Sequence, residues 1–259
     1  MATVSVSTPV AGLHKAPTLA DLERSRMLYN ALPDDENQPH VSATVLDHLR
    51  DLIDKHDVKY KFGMHLIHGH LEVEPGQVML GKPMTKINAC WTRPVKVERV
   101  DQEHVHGHVF ILDSDGQFMP YEYRQGAPPP MAPGDSAFVD SVKEYLVREG
   151  LGRLIGIQLL QHTLDSNESG DMLEFVLSDN HGTVMMDSRI TKSYKAYRTT
   201  GWAVDHQAGI SELSGAESHA ATKAGPHKVF ISGKGLPQVE GPVDEGDVIL
   251  ALRRAEVID

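Results

Sequence analysis

The sequence predicts an α+β fold, a curved antiparallel sheet built from two internally duplicated helix-strand-hairpin halves. Two apolar stripes at helical spacing, each followed by an alternating strand, are the first sign. The second is that a shift of 93 residues lays Val45–Glu72 on Phe138–Asp165 without a gap. Val45, Leu46, Leu49, Leu52 and Ile53 then fall on Phe138, Val139, Val142, Tyr145 and Leu146, while Gly63, Leu66 and Leu71 fall on Gly156, Leu159 and Leu164. Two unrelated amphipathic helices would share a stripe, but the strand matches would not continue in register. The third sign is a hairpin after each copy, turning at Ser114-Asp115-Gly116 and around Asp179–Gly182.

Each element has a local cause. Residues 1–41 read as an extended N-terminal arm and a short helix, opened by the Thr18/Asp21 capping box and ended before Pro33. Residues 33–40 form a polar linker. The first half, 42–134, starts with a helix capped by Ser42 and continues into a strand from Phe62. Pro75-Gly76 makes a type II turn, from which Val78–Leu80 returns as that strand's partner. The three-residue loop at 114–116 sets a register that pairs His106 with Arg124, His108 with Glu122 and Phe110 with Pro120. Three prolines at 128–130 join the halves. The second half, 135–259, opens on a helix capped by Asp135. It holds a Gly/Ala/Ser/His-rich stretch at 207–226, read as a mobile loop, and last strands at Val229–Ile231 and Val248–Leu252. The whole is expected to be one compact domain.

Composition narrows the function. With 25 Lys and Arg against 36 Asp and Glu, the net charge of −11 argues against nucleic acid and anionic membranes as partners. No apolar run reaches the ~18–20 residues of a membrane span, and the N-terminus lacks the features of a signal peptide. Cys90 is the single cysteine, which excludes an intrachain disulfide and suits a cytoplasmic location. Nucleophile-elbow, dinucleotide and P-loop signatures are absent from the sequence. Fifteen histidines are the unusual feature.

The candidate site is FGMHLIHGHLEVEPGQVMLG, residues 62–81. Strand alternation puts Met64, Leu66, His68, His70 and Glu72 on one face, and His65, Ile67, Gly69 and Leu71 on the other. Gly69 leaves that second face open to a close approach by a backbone or a ligand. A second His-Gly-His follows at 106–108. If the two strands are neighbours, His68, His70, His106 and His108 could surround one divalent transition metal (Fe, Zn, Cu or Mn), with Glu72 or Glu122 as carboxylate. Gln158, Gln161 and Thr163 stand where the first copy has His65, His68 and His70, so metal binding is expected to belong to the first half. His108 and Glu122 form the candidate catalytic pair, the carboxylate orienting the imidazole. The plainer reading of that pair is an exposed cross-strand contact worth under ~1 kcal/mol.

Gly63, His68, His70, Glu74 and Gly81 resemble the first cupin motif, with its first spacer one residue short. The resemblance implies a β-barrel and a metal-dependent oxygenase or isomerase, although no clean second cupin motif follows. Leu66–Leu71 and Pro120–Arg124 also resemble a large group of uncharacterised fungal proteins, in which an L-[LI]-H-x-H-[FL] strand precedes a P-[YF]-E-[FY] strand. Gly69 at the x position departs from that pattern. The group carries no assigned activity, and the resemblance implies a fungal metabolic setting. The expected function is an enzyme acting on a small-molecule substrate by metal-dependent or general acid–base chemistry, such as a lyase, isomerase or oxygenase step. The alternative is a non-catalytic binding or interaction protein with a histidine-lined pocket. The sequence leaves the oligomeric state open.

Overall fold

The computed structural model describes residues 9–160, 171–192, 196–205, 212–222, 225–226, 228–232 and 241–259. The expectations for Gln161, Thr163, Leu164 and Asp165 lie outside these residues. In chain order the elements are α1 (Leu19–Asn30), α2 (Ala43–His56), β1 (Phe62–Leu66), β2 (Gln77–Pro83), β3 (Ala89–Lys96), β4 (Val105–Leu112), β5 (Phe118–Gln125), α3 (Pro133–Arg148), β6 (Ile155–Leu159), β7 (Met172–Leu177), β8 (Thr183–Asp187), β9 (Ala196–Asp205), β10 (Glu212–Thr222), the two-residue β11 (Gly225–Pro226) and β12 (Lys228–Val229), and α4 (Glu245–Arg254).

Local chemistry starts the helices. Thr18 and Asp21 close a capping box on α1, and the Ser42 side chain accepts from the Val45 amide to start α2. α3 begins two residues before the predicted cap. Pro133 takes the first helical position, where no N–H is needed, and the Asp135 carboxylate accepts from the Ala132 amide at 2.7 Å. The predicted strand Val248–Leu252 is helical. Asp244 and Asp247 form a capping box, and the spacing of Val248, Ile249, Ala251 and Leu252 buries one helix face.

Ten strands close into a barrel in the order β1-β6-β4-β5-β2-β3-β8-β7-β10-β9 and back to β1. The predicted curved antiparallel sheet is therefore a closed barrel and mixed: β2–β5 and β7–β10 run parallel. Closure removes the edges an open sheet would expose. Two further expectations change. β2 pairs with β3 and β5 rather than with β1. Residues 212–222 of the expected mobile loop form β10, whose pairing with β7 closes the barrel; residues 207–211 lie outside the described residues.

The pairing is two-fold symmetric. Exchanging β1 with β6, β2 with β7, β3 with β8, β4 with β9 and β5 with β10 maps β1–β6 and β3–β8 onto themselves and every other barrel ladder onto another, parallel ladders included. Met64 faces Ile157 and Trp91 faces Val184, and the members of both pairs are 93 residues apart. Helices clad the outside. α2 and α3 cover Phe62, Met64, Leu66, Ile155, Ile157 and Leu159, and α4 covers Leu173, Phe175 and Val184. Leu22 of α1 packs against Val78 and Tyr123. With the apolar faces turned outward to the helices, the polar strand residues are left to the interior.

Candidate functional site

The interior site starts where β1 stops. The strand ends at Leu66, so the predicted row from Met64 to Glu72 does not form. Met64 and Leu66 pack under α2 and α3. His65, assigned by alternation to the opposite face, lines the interior cavity and stacks on His68 at 5.2 Å between ring centroids. Beyond Leu66 the chain is held by its neighbours: the Ile67 amide donates to Leu154 O at 2.9 Å, and the Gly69 amide to Pro33 O at 3.0 Å. A Cβ on Gly69 would stand 3.3 Å from Leu32 Cβ and 3.5 Å from Tyr29 O, so it is the Leu32 side chain that comes close there, and the backbone stays at ordinary contact distance.

This loop delivers His68 and His70 to Glu174 of β7 and His219 of β10. The register of the closing ladder sets Glu174 opposite His219. One ligand atom from each of the four residues lies within 4.8 Å of all the others, and the group could hold a metal ion. Glu174 Oε2 is the hub, 2.8 Å from His219 Nε2, 3.7 Å from His68 Nε2 and 3.8 Å from His70 Nε2. The rings surround it at centroid separations of 4.7, 5.0 and 5.0 Å. Nδ1 of His68 lies 2.7 Å from Leu66 O; when Nδ1 carries the proton it donates there and leaves Nε2 a bare acceptor facing Glu174. Nδ1 of His219 pairs with Asp35 Oδ2 at 3.1 Å, and both side chains are fully buried. Asp35 comes from the linker at 33–40. Asp34, exposed, and Asp35 also lie within 4.8 Å of His70.

Burial resists ionisation of Glu174, but the hydrogen bond from His219 and the nearby imidazoles of His68 and His70 outweigh it and hold the carboxyl well below its ordinary range. Burial also works against the His219 cation. Its bonds to Asp35 and Glu174 prevail and push it up to about 9. His68 is lowered chiefly by burial, and His65, also beside His68, falls to about 3.

The second His-Gly-His lies elsewhere. β6 stands between β1 and β4, so the two histidine segments are not neighbours, and His106 and His108 do not join the cluster. Glu72 is exposed. Nδ1 of His106 lies 3.0 Å from Gly126 O. The predicted register holds for His106–Arg124 and Phe110–Pro120, but a bulge after Gly107 puts Val109, not His108, opposite Glu122. His108 points into the cavity instead, where its Nε2 meets Arg124 Nη2 at 2.8 Å and Gln158 Nε2 at 3.3 Å. Burial and the guanidinium keep it neutral, well below its ordinary value. Glu122 shares the cavity, and burial together with Glu174 raises it to about 8. Burial raises Glu217 to about 7, against a bond from Gln158 Nε2 at 2.7 Å.

Sequence reasoning found His68 and His70 and missed Glu174, His219 and Asp35. A lone carboxylate inside the apolar run MLEFVL was the available signal for Glu174; His219, among small residues, offered none. Glu74, the carboxylate of the cupin resemblance, is exposed at the turn before β2.

A closed ten-strand barrel with a buried three-histidine, one-glutamate cluster is the class that fold and site define. No family model, curated protein or solved structure matches the chain.

Proposed function

We propose that this chain is a small-molecule enzyme whose barrel holds one divalent transition metal on His68, His70, His219 and Glu174. The observation that carries this is the convergence of three imidazoles on one buried carboxylate oxygen. An all-nitrogen-and-oxygen donor set suits Fe, Mn, Zn or Cu. The supporting contacts fit the same reading, because a carbonyl on His68 and a carboxylate on His219 fix which nitrogen faces inward. When bound, the ion would supply Lewis-acid polarisation of a substrate oxygen or an activated water.

The chain's own groups supply the proton chemistry. Glu122, raised to about 8, carries a proton at neutral pH and borders the cavity that His68 and Glu174 line. His65 and His108 stay neutral there as acceptors. Lyase or isomerase steps need this pairing of a polarising centre with a proton carrier. We read the matched halves as a duplicated unit and, on the resemblance, place the enzyme in fungal cytosolic metabolism.

One observation favours a metal-free reading. Asp35–His219–Glu174 is a continuous chain in which a protonated His219 bonds both carboxylates without an ion. Elemental analysis of protein purified without a histidine tag separates the two. About one equivalent of metal, lost in the His68→Ala/His70→Ala double variant, is expected. Metal-free protein with full activity would leave acid–base chemistry, and inert, metal-free protein would leave a binding role.

A further inference from the structure

The cavity that touches the metal cluster also touches a permanent cation. His68 and Glu174 line it together with Arg124, His108, Glu122 and Thr92. Arg124 is 5% exposed. It holds the position that His219 holds in the other half: His219 lies opposite Glu174 in the β7–β10 ladder, and Arg124 lies opposite Gly81 in the matching β2–β5 ladder. Where the second half has the Glu174 carboxylate, the first has no side chain. A Cβ at Gly81 would come within 2.9 Å of Arg124 Cδ, so glycine makes room for the arginine stem. The guanidinium donates to the uncharged ring of His108.

Resting on the metal reading above, we infer that the substrate is a small carboxylate, with its charged group on Arg124 and its other end directed toward His68 and Glu174. A planar guanidinium offers paired donors that match a carboxylate. Protonated Glu122 can donate a further hydrogen bond, and a singly charged group suits a wall that also carries Glu122 and Glu217 better than a phosphate would. Size points the same way. The cavity admits a water's centre over about 20 Å³, little beyond the ~10–15 Å³ that one water needs, which excludes a bulky substrate.

The full chain, loaded with Co²⁺ and titrated with sodium acetate at pH 7 against a chloride control, tests this. A saturable change in the visible Co²⁺ spectrum is expected. Arg124→Gln should weaken acetate at least tenfold and leave Co²⁺ affinity within about twofold, with Arg124→Lys between the two. Equal acetate affinity in Arg124→Gln would put the anion on the ion alone and overturn the inference, as would no acetate binding by Co²⁺-loaded protein. Protein that takes up no Co²⁺ defeats the metal reading instead. Acetate is then titrated calorimetrically into the metal-free chain, where Arg124-dependent binding sustains the carboxylate site and its absence ends it. Should Arg124→Gln fail to fold, Glu122→Gln removes the carboxylate that competes for the guanidinium. It should then tighten acetate binding about tenfold at pH 8.5, and an unchanged affinity would reject the site.

Discussion

His219 is the residue on which the cluster's charge turns. Without an ion it is an imidazolium between Asp35 and Glu174; with one, its Nε2 must give up that proton. Its folded pKa, raised to about 9 from 6.5, adds stability that is complete below 6.5 and disappears as pH rises through 9. Glu122, raised from 4.5 to about 8, acts in the same direction, losing its contribution between those values. His65, lowered to about 3, has the opposite sign and contributes above 6.5, with the loss falling on the acid side. Metal-stripped protein should therefore melt progressively lower from pH 6.5 to 9, whereas the metal-loaded form should gain in that window. A flat or rising melting curve for the stripped protein would contradict this. Asp35→Asn keeps the shape of the second carboxylate and removes its charge. It should weaken metal binding by ~10–100-fold, as loss of such supporting partners does, measured by competition with a chelator. None of this charge balance was legible in the sequence, because Asp35 and Glu174 are 139 residues apart and meet only through closure of the barrel.

At the scale of elements, helices were legible and strand partners were not. Capping boxes, stripes and proline positions are local and predicted α1 and α2 well. Val248–Leu252 misled because a run of five apolar residues lacks visible period until Asp244 is seen as its cap. The β4–β5 register was right at both ends and wrong at His108, since two compensating irregularities, between Gly107 and Val109 and between Val109 and Phe110, shift only the middle of the ladder. Glycines show how tightly these strands mesh. On Gly156 of β6, a Cβ would lie 2.0 Å from Phe110 O, a backbone atom that cannot move without displacing β4. Gly156→Ala should cost ~1–3 kcal/mol or more, as overpacking does, lowering the melting temperature by several degrees. Gly134, in the first turn of α3, has its nearest neighbour at an ordinary 3.6 Å. Gly134→Ala should therefore stabilise by ~0.4–1 kcal/mol through the unfolded chain. Equal melting temperatures for the two variants would refute this reading of the packing.

In the whole molecule, the 93-residue offset was legible and the closed, two-fold pairing was not, because sequence spacing cannot say that β1 and β6 adjoin while β1 and β4 do not. The same closure assembles the site. Its last ladder, β7 with β10, is parallel and matches three residue pairs, among them Glu174 with His219. Parallel pairing is slightly weaker per residue, and this short seam carries two buried ionisable side chains, Glu174 and His219. An ion held by His68, His70, Glu174 and His219 would fasten the 67–70 loop of the first half across the seam of the second. Ligand that binds only the folded form at a hundred times its dissociation constant adds ~2.7 kcal/mol, or roughly 5–10 °C for a chain of this size. Most of that gain should appear locally as suppressed opening of the seam. Hydrogen exchange should therefore slow at Leu173–Phe175 and Ser218–Ala220 when Zn²⁺ is added, more than at the β3–β8 ladder, two ladders away round the barrel. Slowing spread evenly over all ten strands, or greatest at β3–β8, would mean that the ion is not held at the seam.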